Sequence, residues 1–130
     1  MAVWYLDTSA LAKLVRPEPE TPALTRWLEE KQWVISDLHR TELRRAALRA
    51  GGRAPARAER LLAEIDVLRL DADSFDMAGR MMPVALRSLD ALHLAAAMTL
   101  GTDLEGVVAY DAVLQRAAVG AGIPTVSPGT

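Results

Sequence analysis

The chain has no cysteine, which excludes disulfides, thiolate zinc sites and a cysteine nucleophile. It has no apolar run near the roughly 18 residues that a membrane span requires. No basic stretch precedes an apolar one at the start, so nothing there reads as a secretory signal. These absences together point to the cytoplasm. An overall basic charge is missing too: the formal net charge is −2, unlike that of an electrostatic nucleic-acid binder. Lysine is scarce, with only Lys13 and Lys31 among 15 basic residues. Net charge hides distribution, however. Residues 40–60, "RTELRRAALRAGGRAPARAER", hold seven arginines against two glutamates. A preference for arginine over lysine is also what a GC-rich genome would produce.

What is present fits ordinary globular chemistry, with 51% hydrophobic and 25% charged residues in a chain of 130. That length suits one domain, 1–130, with a genuine core. Val3 to Leu6 reads as a short buried strand, followed by a helical pattern over 8–15 that "RPEPE" breaks. Thr21-Pro22 marks a helix start, "WVIS" a second strand, and Ser36 or Asp37 a cap for the next helix, which stops near Gly51-Gly52. A helix over 55–65 precedes "VLRL", a third strand. Asp73 or Ser74 opens another helix, and Ser88 caps the strongly apolar "LDALHLAAAMTLG". "GVVAY" is a fourth strand, "DAVLQRAAVGAG" a helix and "IPTVS" a last strand. Strands alternating with helices imply a parallel sheet covered on both faces.

Four carboxylates sit awkwardly in this frame. Asp7 ends the first apolar strand, Glu42 lies inside a helix, Asp90 sits in the first turn of the most hydrophobic helix, and Asp111 follows "GVVAY". Each aspartate has a plain local explanation as a helix cap or as a charge favoured at a helix N-terminus. The topology offers another. In an open parallel sheet, ligands bind beyond the carboxyl ends of the strands, where all four acids can meet. Clustered carboxylates do not all stay ionised without a counter-charge. Oxygen ligands without cysteine favour Mg2+ or Mn2+ over zinc, and such a site suits phosphodiester hydrolysis. Thr8 and Ser9 can support Asp7 or a phosphate there, or simply cap the helix.

"YLDTSALAKL", "TELRRAAL", "LDALHLAAA" and "AYDAVLQRAAVGAGI", in that order, resemble the PIN-domain ribonucleases, and within them the VapC-type toxins of prokaryotic toxin–antitoxin pairs. The resemblance spans about residues 3 to 127. It implies a three-layer α/β/α fold around a short parallel sheet. It also implies endonucleolytic cleavage of RNA with water as nucleophile at one or two Mg2+ or Mn2+ ions. Carried over by motif, Asp7, Glu42, Asp90 and Asp111 form the acidic site. Asp7 and Asp90 would be direct metal ligands, with Glu42 and Asp111 binding directly or through water. The resemblance further implies a homodimer and a cognate VapB-like antitoxin whose C-terminal segment wraps the toxin.

One departure is Ala109, where many relatives carry Thr or Ser; a slower or differently metallated site is expected, with all four acids retained. Arg40, Arg44 and Arg45 bracket Glu42 and are candidates for holding RNA phosphates, or else form surface salt bridges. His93 reads as a packed or hydrogen-bonded residue more readily than as a ligand. His39 and Asp37 read as surface or capping residues, and Glu18, Glu20, Glu29, Glu30, Asp71, Asp73, Asp76 and Glu105 as solvated faces or caps. Trp4, Trp27 and Trp33 either face a partner groove or fill the core. A receiver domain would need a late lysine, and the chain has none after Lys31; an aspartyl phosphohydrolase would need Asp where Ser9 stands. The rival from another class is a PIN-like RNA- or protein-binding module with a weak or silent site.

Overall fold

The structure is a computed structural model that describes residues 2–130. It contains one five-stranded sheet in the order β3-β2-β1-β4-β5, parallel throughout. The strands are β1 (Val3–Leu6), β2 (Trp33–Ser36), β3 (Val67–Leu68), β4 (Leu104–Val108) and β5 (Thr125–Val126). The α-helices are α1 (Thr8–Leu11), α2 (Thr21–Glu29), α3 (Leu38–Ala50), α4 (Ala54–Glu64), α5 (Ala72–Gly79), α6 (Ser88–Met98) and α7 (Ala112–Gly120).

Alternation along the strands sends neighbouring side chains to opposite faces, and two cores result. Leu6, Ile35 and Val108 pack against Leu11, Leu24, Leu28, Leu43, Ala47, Ala58 and Leu62, so α1 to α4 cover one face. Tyr5, Val107 and Ala109 pack against Leu94, Ala96, Ala97, Leu114 and Ala118, so α6 and α7 cover the other. The expected three-layer α/β/α fold is therefore the observed one. In α6, Ala95, Ala96 and Ala97 are fully buried; side chains this small let the helix lie close to its neighbours.

Gly106 shows why one residue of β4 is fixed: a Cβ there would stand 2.5 Å from the Pro124 carbonyl oxygen and 2.6 Å from the Trp4 ring. Gly51 ends α3 with φ of 72°, its N–H donating to the Ala47 carbonyl, a conformation that favours glycine.

Several boundaries differ from expectation. The third and fifth strands are short pairs of residues, and β4 starts and stops two residues before "GVVAY" does. The helix after Asp7 tightens into a 3-10 turn over Ala12–Leu14. Helix α5 is capped by Asp71, which accepts from the Ser74 N–H, so neither Asp73 nor Ser74 starts it. Ser88 is the first residue of α6 and does not cap it; Arg87 precedes the helix without a side-chain cap bond. Ser36 Oγ accepts from the Leu38 N–H, while the Asp37 carboxylate accepts from Leu70 N–H and Arg40 Nε. His39 is fully buried, which corrects its reading as a surface residue. The three tryptophans are half-buried and packed on the first core, with Trp4 and Trp27 edge to face at 4.9 Å. The core-filling alternative describes them.

Candidate active site at the switch point of the sheet

β1 and β4 lie side by side at the centre of the sheet, and the strand order reverses between them. This is the position where open α/β sheets hold ligands. Asp7 follows directly on β1, and its N–H donates to the Val108 carbonyl of β4. Asp111 starts α7 just past the end of β4. The topology therefore sets these two acids on either side of the switch.

Asp7 is 4% exposed. Its Oδ1 accepts from the Ser9 hydroxyl at 2.6 Å and from the Ala10 N–H at 3.0 Å. Ser9 Oγ in turn accepts from the Tyr110 N–H at 2.9 Å, so one hydroxyl ties the end of β1 to the end of β4. The capping role foreseen for Asp7 is real, but it uses only one carboxylate oxygen. Burial pushes the Asp7 carboxyl up to about 6; the bonds from Ser9 and Ala10 oppose this, and the charge of Asp111 adds to it. Asp90 is also raised, chiefly by burial and then by Asp111, with Glu42 contributing and His93 and Arg87 opposing. Asp111 caps α7, its Oδ1 accepting from the Val113 N–H.

Glu42 behaves differently. Burial opposes its charge, but hydrogen bonds from His93 and Thr8 prevail and hold it below the usual carboxylate range. His93 Nε2 lies 2.5 Å from Glu42 Oε1, and the Thr8 hydroxyl donates to the same oxygen at 3.0 Å. Thr8 thus supports Glu42, and Ser9 supports Asp7. Beneath them, Tyr5 Oη contacts His93 Nδ1 at 2.7 Å and Ser36 Oγ at 2.9 Å. His39 packs edge to face on His93 at 5.0 Å, and burial, then the charge of His93, lowers it to about 4.

Asp7 and Asp90 both feel the charge of Asp111, and Asp90 that of Glu42 as well; among the described residues no lysine or arginine forms an ion pair with any of the four acids. A hard divalent cation fits this donor set: carboxylate and hydroxyl oxygens, no sulfur, and two aspartates, Asp7 and Asp90, raised by burial with the charge of Asp111 adding to it. Among the described residues, no three carboxylates or imidazoles already converge into a finished ligand shell. Fit therefore rests on the chemistry and charge of the donors. Ala109 is fully buried in the second core. The hydroxyl it lacks has a counterpart in Ser9, which orients Asp7 directly.

The arginines divide. Arg44 makes a two-point bond to Glu59 at 2.8 and 3.0 Å, and Arg40 reaches Asp37 at 3.4 Å. Arg45 is exposed and in no ion pair among the described residues. Sequence reasoning missed Tyr5 and Ser36. Strand alternation carried the signal for Tyr5, which stands two residues before Asp7 and so on the same face.

The PIN domain family model matches residues 4–120, and the chain belongs to the PIN-domain family. Relatives that it matches over nearly their full length include VapC proteins. It is 43% identical over 129 residues to "Ribonuclease VapC46" of Mycobacterium tuberculosis, covering 98% of this chain and 99% of the relative. It is 39% identical over 130 residues to "Ribonuclease VapC35" of the same organism, covering 96% of each. Among solved structures, Mycobacterium tuberculosis VapC20, titled a sarcin-ricin loop cleaving toxin, superposes with a TM-score of 0.71. That match covers 96% of this chain and 99% of the other at 23% identity, a likeness of fold.

Proposed function

We propose that the protein is an endoribonuclease, the toxin of a toxin–antitoxin pair, and that it cleaves RNA at the Asp7, Glu42, Asp90 and Asp111 cleft with Mg2+ or Mn2+. The observation that carries this reading is Asp7. It is a buried carboxylate at the switch point, pushed up to about 6 by burial with Asp111 alongside, and no cationic side chain pairs with it among the described residues. Full-length similarity to proteins named ribonucleases supports the same conclusion.

Asp7 and Asp90 would hold the ion directly, and Glu42 and Asp111 directly or through water. When bound, the ion supplies a counter-charge for the phosphate and lowers the pKa of the attacking water. The chain's own residues fix the geometry. Ser9 and Ala10 hold one oxygen of Asp7, and Thr8 and His93 hold one oxygen of Glu42. In each carboxylate the second oxygen accepts no bond among the described residues. Of the three arginines that bracket Glu42, Arg45 is the one in no ion pair among the described residues and so available to an RNA phosphate at the rim; Arg40 and Arg44 would first have to leave Asp37 and Glu59.

A homodimer is supported by a groove of about 600 Å³ lined by Met82, Leu86, Val113 and Ala117, beside an 85% exposed Val84. A VapB-like antitoxin as partner and the cytoplasm as location accompany the toxin reading. Among the described residues no helix is long and apolar enough to cross a membrane. The test is to induce the protein and its Asp7→Asn variant in cells and map new RNA 5′ ends. The expected result is discrete cuts with the first and none with the second; identical end maps would refute the proposal.

A further inference from the structure

Below the acids lies a file of polar side chains of which only His93 touches an acid. Tyr5, Ser36 and His39 are fully buried and His93 is 3% exposed, a costly burial unless each polar atom is matched. With a neutral His93 ring, the donors and acceptors from Ser36 to Glu42 sort in one way. Ionised Glu42 accepts only, so the hydrogen at the 2.5 Å contact sits on His93 Nε2. In the neutral ring Nδ1 is then an acceptor, and the Tyr5 hydroxyl, 2.7 Å away, donates to it. A neutral phenol carries the one hydrogen that this contact needs. Ser36 Oγ, 2.9 Å from Tyr5 Oη, donates in turn to the phenol oxygen. The chain of bonds runs Ser36 to Tyr5 to His93 to Glu42, with one direction along its length.

The scaffold explains why this file ends in the cleft. Tyr5 and Asp7 share a face of β1 because they are two apart. Asp90 and His93, three apart, share a side of α6. The strand and the helix thus each give one residue to the cleft and one to the layer below it.

Building on the ribonuclease reading, we infer that Tyr5 and His93 are positioning residues: they lock the Glu42 carboxylate through Oε1 and leave Oε2 for the metal ion or its water. Buried partners of this kind typically change metal affinity or activity about 10–100-fold when removed. The Tyr5 hydroxyl reaches Glu42 only through His93. Removing it therefore frees the imidazole to rotate or change tautomer without touching an acid.

The experiment uses the full chain and three readouts. Nitrogen NMR of His93 in the metal-free protein reports which ring nitrogen carries hydrogen. Protonated Nε2 is expected, and an Nε2 without hydrogen would overturn the inference. Mn2+ titration and steady-state RNA cleavage are then compared for wild type, Tyr5→Phe, His93→Gln and His93→Leu.

Tyr5→Phe is expected to keep the fold by circular dichroism. It should bind Mn2+ about tenfold more weakly and lose kcat with KM for RNA unchanged. His93→Gln, whose amide can still donate near the Nε2 position, should retain more affinity than His93→Leu. Wild-type Mn2+ affinity and kcat in a folded Tyr5→Phe protein would overturn the positioning role while leaving the ribonuclease reading intact. Should wild type neither bind Mn2+ nor cut RNA, the ribonuclease reading fails, and with it the positioning role.

Discussion

Replacing Asp7 by asparagine should abolish cleavage and yet stabilise the metal-free protein. The native carboxyl titrates near about 6 against an ordinary value of 3.8. Between those two values the unfolded chain has released its proton while the native protein still holds one. Stability contributed at this site therefore falls as pH rises through the window and stays low above it. At about 1.4 kcal/mol per pH unit between the two values, the ionised carboxylate costs the native state about 3 kcal/mol at pH 8. Asparagine keeps an oxygen for the Ser9 hydroxyl and the Ala10 N–H. Its NH2 group replaces an oxygen that has no bond among the described residues, a loss of about 1 kcal/mol. A net gain of about 2 kcal/mol remains, or roughly 6–10 °C in Tm for a chain of this size.

The assay is urea unfolding of both proteins in EDTA from pH 3.5 to 8. Other carboxylates titrate in the same range, with Glu20 and Asp71 held low, so the informative quantity is the difference between the two proteins. At the acid end the variant should be the less stable by about 1 kcal/mol, and the difference should change sign and reach about 2 kcal/mol in its favour above pH 6. Saturating Mg2+ should narrow or reverse it, because an ion bound only by the native wild type stabilises that protein alone. A variant no more stable than wild type at pH 8 in EDTA, or a difference flat with pH, would refute the picture of an uncompensated buried charge.

Other expectations follow from single contacts. Gly106→Ala should lower stability by about 1–3 kcal/mol in urea unfolding, because the new methyl group meets the Pro124 carbonyl that binds the Val107 N–H at 2.9 Å. An unchanged midpoint would mean that β5 is not held where it is drawn. Arg45→Ala should weaken binding of different RNAs alike and reduce the slope of log affinity against log salt by about 0.7; no change in slope would remove Arg45 from the RNA path. If the proposed homodimer forms through the apolar groove, Val84→Asp on its exposed rim should be monomeric in light scattering where wild type is dimeric, and a variant as dimeric as wild type would place the interface elsewhere.

The fold was largely legible because its signals are local. Apolar runs of four residues, Pro22 after Thr21 and Gly51 after α3 mark ends that the chain obeys. Boundaries failed where tertiary contacts decide them. Ala109 still donates its N–H to the Val126 carbonyl of β5, but β4 as a strand stops at Val108. The positions of Asp7, Asp90 and Asp111 were readable because a strand end and a helix start each leave a mark in sequence; Glu42 lies inside α3 and has no such mark. Their supports were less so. Ser9 looks like an ordinary cap in sequence, and only pairing of β1 with β4 reveals that it also holds the Tyr110 N–H. His39 looks like a surface residue beside charged neighbours, and only the packing of α3 on the sheet buries it against His93. Arg40 and Arg44 could be placed near Glu42 from spacing alone; the Arg40–Asp37 pair is a local i,i+3 contact, whereas that of Arg44 with Glu59 depends on the α3–α4 turn.

The central claim is that the acids at the switch point cut RNA with a divalent ion. Its most direct test is one cleavage assay on a defined RNA with purified, antitoxin-free protein, comparing Mg2+, Mn2+ and EDTA for wild type, Asp7→Asn and Asp90→Asn. The account predicts cleavage by wild type with either ion, none in EDTA and none by either folded variant. Cleavage that persists in EDTA, or in both variants, would contradict it.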